Sequence, residues 1–123
     1  SNICSNQALC ALRAQIHLCL LGPEGIKRSA LLSVENAHYA AERFSALEGV
    51  ELVNHGSFCN EFAVRLPMNA FEAVDKLTAK GFVPGFPAGR FYQGMDDVLL
   101  VACTEKHTHQ DIGLMVELMG GIL

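Results

Sequence analysis

Apolar residues crowd the first part of the chain with little polar counterweight. Over residues 6–21, Ala8, Leu9, Leu12, Ile16, Leu18, Leu20 and Leu21 surround only a few polar positions, Gln7, Arg13, Gln15 and His17. A helix that is apolar around most of its circumference is normally covered on several sides. Gly22-Pro23-Glu24-Gly25 breaks it. A second helix is predicted over 26–47, with Ala30, Val34, Ala37, Ala41 and Phe44 spaced by three and four on one face. Lys27, Arg28, Glu35, Glu42 and Arg43 mark its wet side.

Beyond Gly49 the pattern changes period. Residues 50–54 form a short strand candidate, and 61–66 alternate, with Phe62, Val64 and Leu66 on one face and Glu61, Ala63 and Arg65 on the other. Such a pair is half-buried and antiparallel. Asn69 followed by Glu72 resembles a capping box, opening a helix through Phe71, Val74 and Leu77 that stops at Gly81. Residues 82–90, crowded with prolines and glycines, predict a rigid loop bearing aromatic residues. Residues 98–103 are continuously apolar, which suits a strand buried on both faces or central in a sheet. Thr108, with Asp111 three residues on, opens a last helix through Ile112, Met115, Val116 and Met119. This order lacks strict βα alternation and predicts an α+β fold, an antiparallel or mixed sheet with helices on one face.

With 123 residues, the chain reads as one domain, 1–123, with no linker and no internal repeat. Half of its residues are apolar and 18% are charged, and the mean hydropathy is +0.25. That apolar surplus sits mainly in the first helix. Nine Lys+Arg against 13 Asp+Glu give a net charge of −4, which lacks the basic footprint that nucleic acid requires. No apolar run approaches the roughly 20 residues of a membrane span, so neither nucleic acid nor membrane is an expected partner. Beginning at Ser1 in place of Met, the chain reads as a processed product or an excised piece.

The candidate chemistry is sparse. Five cysteines, an odd number, read as free thiols of a reducing cytoplasm and not as a disulfide framework. Cys10 and Cys19 on the apolar helix and Cys103 after its apolar strand read as inert core residues, and His38 as a boundary residue. The only close pair of metal-ligating type, His107-x-His109, is not a zinc spacing, so no metal is expected. Gly85-Phe86-Pro87-Ala88-Gly89 matches neither common phosphate-loop spacing and reads as a turn. Lys27, Lys76, Lys80 and Lys106 read as surface charges.

Longer words carry more information. Ser1-Asn2-Ile3-Cys4-Ser5-Asn6-Gln7-Ala8-Leu9 resembles a stretch of the glycine cleavage system P-protein family, specifically the first subunit of its two-subunit form, with Ser5 in place of a usual Thr. Leu21-Gly22-Pro23-Glu24-Gly25, Asn60-Glu61-Phe62, Gly89-Arg90-Phe91-Tyr92, Gly94-Met95-Asp96-Asp97 and Thr104-Glu105-Lys106 are similar to it in the same order.

The resemblance implies the C-terminal small domain of a fold-type-I pyridoxal-phosphate-dependent transferase, with the large domain absent from these residues. The whole enzyme, an oxidoreductase and a heterotetramer, would decarboxylate glycine and pass the aminomethyl group to the lipoyl group of H-protein. Pyridoxal phosphate would be held by a lysine of subunit 2, and this chain alone would bind no cofactor and be inactive. Its implied partners are its own large domain, subunit 2 and lipoylated H-protein. The absence of Arg from 98–103 agrees, because enzymes of this fold commonly grip a substrate carboxylate with an Arg in or near that strand.

Candidate substrate or interface residues are Asn2, Cys4, Asn6 and Gln7, where the chain would leave the large domain, and Arg90 on its aromatic loop. For each, an interdomain or intersubunit contact is the plainer reading. Two alternatives stand beside this one: the small domain of another pyridoxal-phosphate enzyme such as a cysteine desulfurase, or a self-contained α+β ligand-binding regulatory module.

Overall fold

The two helices that the sequence predicts are both present and join at a kink. Helix α1 (Asn6–Ser45) has 40 residues and leaves helical geometry at Gly22, with φ 61° and ψ −179°, just before Pro23. The predicted break is therefore a kink that divides α1 into an arm before Gly22 and a stem after it. The computed structural model describes residues 6–123, and of Asn6 only the backbone.

The stem reaches the core through its second half. Ala37, Ala40, Ala41 and Phe44 are buried, Val34 is partly so, and Ala30 is exposed. The predicted apolar face thus meets protein only from about Val34 onward. Gly49, with φ 76°, turns the chain into the first strand. The strands are β1 (Glu51–Leu52), β2 (Glu61–Arg65), β3 (Phe86–Pro87) and β4 (Val98–Ala102). They form one antiparallel sheet in the order β1-β2-β4-β3.

The alternation read in β2 holds, with Phe62 and Val64 buried. Their cross-strand partners are Val101 and Leu99, also buried, so one face of the sheet is apolar across both strands. That face packs with Phe44, Leu77, Ile112, Val116 and Met119 from the helices into a single core, and Phe44 meets Phe62 edge-on at 6.1 Å between ring centroids. Helix α2 (Ala70–Thr78) starts at Asn69, whose side-chain oxygen accepts from Phe71 N–H at 2.9 Å. Helix α3 (His109–Gly120) starts at Thr108, whose hydroxyl accepts from Asp111 N–H at 3.1 Å. Both caps occupy the positions the sequence indicates.

Two expectations are corrected, and of the two readings of 98–103 one holds. The proline-glycine segment contains a strand as well as a turn: Phe86 and Pro87 pair with Leu100 and Leu99. Proline is tolerated there because β3 is an edge strand. Strand β4 is central but is not buried on both faces, since Leu100 and Ala102 are exposed. Cys10 and Cys19 are exposed, because nothing in the described chain covers the arm. Cys103 is buried as read, and burial pushes its thiol pKa up. No helix among the described residues is long and apolar enough to cross a membrane.

Candidate functional site

The helices leave one face of the sheet open. Strand alternation brings Ala63, Leu100 and Ala102 to that face, and Asn54, Glu61 and Phe86 complete the rim of a shallow depression over them. Small side chains at 63 and 102 keep it flat. Asn54 ties it down, its side-chain oxygen accepting from Ala63 N–H at 2.7 Å, while Val53 N–H donates to the Ala63 carbonyl at 2.9 Å.

Arg90 stands at the β3 edge of this face. It ends a short 3-10 turn, Ala88–Arg90, that follows β3 directly. Phe86 and Phe91 stack at 5.7 Å with their planes 12° apart, and the Arg90 guanidinium lies 6.0 Å from the Phe86 ring centroid. A cation at that distance is held by the ring's negative face while its N–H donors stay free for a carboxylate. Phe91 and Tyr92 beside it are mostly exposed.

The two glycines of this segment have steric reasons. A Cβ on Gly85 would collide with the Leu100 carbonyl, and one on Gly89 would lie 2.5 Å from Asp96 Oδ1 and 2.9 Å from Asp96 Cα. They permit backbone contact, in keeping with the reading as a turn. Asp96 and Asp97 anchor the loop that Gly89 touches. The Asp96 carbonyl accepts from Ala70 N–H and the Asp97 carbonyl from Leu66 N–H, each at 2.8 Å. Arg65 Nη1 donates to both oxygens of the Asp97 carboxylate, at 2.5 and 2.6 Å. The Gly94-Met95-Asp96-Asp97 word is thus a brace between β2, α2 and the Arg90 turn.

Of the other candidates, Asn2 and Cys4 lie outside the described residues, as does the side chain of Asn6. Gln7 is exposed in the first turn of the arm. Among the described residues, no hydrogen bond or ion pair links Gln7 to Arg90, so the candidates do not form one constellation. The arm itself is the second feature of note. Residues 7–21 are exposed throughout, including Leu9, Leu12, Ile16, Leu18 and Leu20. An uncovered apolar run of this length is uncommon on a free-standing soluble domain.

Two features escaped sequence reading. Asn36, 6% exposed, donates through Nδ2 to the carbonyls of Thr104 and His107 at 2.9 and 2.8 Å, clamping α1 to the β4–α3 turn. Thr104 N–H in turn donates to His107 Nδ1 at 3.0 Å. The only signal for it was an amide side chain next to Ala37 on the buried side of an amphipathic helix. The open sheet face was hidden because Leu100 and Ala102 sit inside a continuous apolar run. His38 stacks on Phe58 at 4.2 Å, and His109 on Tyr39 at 4.1 Å. Among the described residues no three His, Cys, Asp or Glu side chains gather as a metal site.

Comparison with known proteins gives this geometry its context. Residues 1–119 match the sequence profile of the family described as glycine cleavage system P-protein. Over 123 residues the chain is 68% identical to a probable glycine dehydrogenase (decarboxylating) subunit 1 of Nitratidesulfovibrio vulgaris, covering 100% of this chain and 28% of that protein. It is 42% identical, at the same coverage of both, to a protein of the same name from Geotalea uraniireducens. A crystal structure of glycine decarboxylase (P-protein) of the glycine cleavage system, in inhibitor-bound form, aligns with a TM-score of 0.89 and 35% identity, over 100% of this chain and 28% of that one. The structure of MppP soaked with the product 2-ketoarginine shares the fold, with a TM-score of 0.61 and 13% identity over 76% of this chain and 27% of that one. The chain therefore spans a little over a quarter of the length of the relatives it matches.

Proposed function

The chain belongs to the glycine cleavage system P-protein family, and on that premise we propose that it works as the C-terminal small domain of the subunit that does not carry the cofactor lysine in a two-subunit enzyme. The observation that carries this reading is the full-length alignment of the chain to the solved P-protein at a TM-score of 0.89, over only 28% of that protein. The relatives named subunit 1 support the assignment to that subunit. Neither a cysteine desulfurase domain nor a free-standing regulatory module accounts for these matches.

The whole enzyme, in this proposal, acts in the cytoplasm. It decarboxylates glycine and passes the remaining aminomethyl group to the lipoyl group of H-protein. Pyridoxal phosphate supplies the electron sink for loss of CO2 in that chemistry. The residues of this chain do not fit the cofactor: Lys27, Lys76, Lys80 and Lys106 are all exposed, and Gly85 and Gly89 are taken up by backbone contacts to Leu100 and Asp96. It is the family resemblance, and not these lysines, that assigns the cofactor to subunit 2 in this proposal.

What this chain contributes is surface. The arm, with Gln7 near its start, docks on the large domain of its own subunit, and its apolar side chains exclude water along that seam. Asn2, Cys4 and Asn6, which precede Gln7 in sequence, are proposed to line the same interdomain cleft. The open sheet face and Arg90 meet the partner subunit, where the guanidinium, braced on Phe86, takes a carboxylate.

The test is reconstitution. The chain alone, mixed with pyridoxal phosphate and glycine, is expected to develop no bound-cofactor absorbance in the visible and to release no labelled CO2. The longer subunit combined with subunit 2 and H-protein is expected to do both. Arg90→Ala in that assembly is expected to weaken subunit association at least tenfold. Cofactor bound to a lysine of this chain, or full assembly without it, would overturn the proposal.

A further inference from the structure

The word Leu21-Gly22-Pro23-Glu24-Gly25 has no part in the site described above. Three of its residues nevertheless carry independent structural demands. Gly22 sits at φ 61°, ψ −179°, a region of backbone space essentially closed to residues with a Cβ. A Cβ there would meet nothing within 4 Å. The glycine is thus required by conformation alone, not by packing.

Pro23 supplies the second demand. Its ring locks its own φ and disfavours helical geometry for the residue before it, so the helix is blocked from running straight through position 22. Gly25 supplies the third. A Cβ on it would lie 3.1 Å from Leu21 Cβ and 3.3 Å from Leu21 Cδ2. Its bare backbone gives the last arm residue a seat on the first turn of the stem. Glycine itself does not hold the bend; Pro23, with its fixed φ, restrains it on one side, and the close approach of Leu21 to Gly25 restrains it across the corner.

We infer that Leu21-Gly22-Pro23-Glu24-Gly25 is a fixed corner that sets the direction in which the apolar arm leaves the body of the domain. The corner goes beyond the reading of the arm as a covered surface and holds whichever partner covers it. Its leverage comes from length. Arg13 lies about 14 Å along the arm from Gly22 at 1.5 Å per residue, so a change of about 25° in the corner moves it by about 6 Å. The positions of the apolar side chains relative to the sheet depend on that angle.

Electron-spin distance measurements on the longer subunit that contains this chain test the corner without reference to activity. One label goes on the arm through Arg13→Cys and the other on Cys59, which is exposed on the body, with other reactive cysteines replaced by serine. The parent is expected to give one narrow distance. Gly22→Ala combined with Pro23→Ala, which permits a continuous helix, is expected to shift the mean by up to about 6 Å for a change of about 25°. Pro23→Ala alone is expected to broaden the distribution. Gly56→Ala, at a glycine without positive φ and with open space at its Cβ, is expected to change nothing. A broad or two-peaked parent distribution would make the segment a hinge and overturn the inference, as would an unchanged narrow distance in the double variant. Should circular dichroism reveal that the double variant is unfolded, an unchanged narrow distribution in Pro23→Ala overturns it equally.

Discussion

The arm and the body of this domain are built from similar residues and have opposite fates. Leu20 in the arm is 82% exposed, while Leu77 and Leu99 in the body are fully buried. The body closes its own core, because stem, sheet and two short helices present apolar faces to one another. The arm has only itself. An isolated helix of about 16 residues is marginal in water, and leucines on its surface contribute little beyond helix propensity unless something covers them. Apolar content thus identifies a face that must be covered, and only the tertiary structure tells whether the chain covers it unaided.

Point substitutions break or sharpen this contrast. The largest effect is expected at Phe44, fully buried between the stem and β2. Phe44→Ala is expected to cost about 3–5 kcal/mol in urea unfolding of the chain, whereas Leu20→Ala in the arm is expected to stay within about 0.5 kcal/mol. Equal costs would mean that the arm is packed after all. Asn36→Ala comes next. It removes both donors from the Thr104 and His107 carbonyls and is expected to cost about 1–3 kcal/mol. Loss of Asn36 without effect would show that α1 is held by apolar contact alone.

Smaller effects belong to the solvent-facing parts of the body. The Arg65 and Asp97 side chains are 44% and 37% exposed, so Arg65→Ala is expected to cost no more than about 1 kcal/mol, less in high salt. The smallest is an alkaline effect at Cys103, whose pKa burial raises. The unfolded thiol releases its proton first, so the unfolded state binds fewer protons as pH rises. This contribution is intact below the unfolded thiol pKa and is lost as pH climbs through the folded one. Cys103→Ala is expected to flatten that alkaline decline. In native protein a thiol reagent is expected to label Cys10, Cys19 and Cys59 before Cys103, since those three are exposed. Early labelling of Cys103 would place it outside the core.

Much of the body was legible because its signals are local. Asn69 and Thr108 mark helix starts through side chains that reach backbone donors two or three residues on, and the period of two in 61–66 assigns Phe62 and Val64 to the core face. Where legibility failed, the deciding partner lay far away in sequence. Phe86 and Pro87 form a strand only because β4 offers them an edge. Leu100 faces outward because its neighbours Leu99 and Val101 are claimed by β2 partners on the core side. Of the candidate site, Arg90 was legible as a cation among aromatics, but its seat on Phe86 was not. Asn36 was invisible, since its partners at 104 and 107 lie in another element.

The sequence by itself determined the elements other than β3, the caps, the surplus of apolar surface at its start and, through its longer words, the family. These are properties of neighbouring residues and of their order. Which apolar faces meet, which face of β4 stays open, and that the arm beyond the break at Gly22 is left uncovered were decided only in the tertiary structure. Burial is a relation between segments distant in the chain, and a run of leucines carries no record of what, if anything, lies against it.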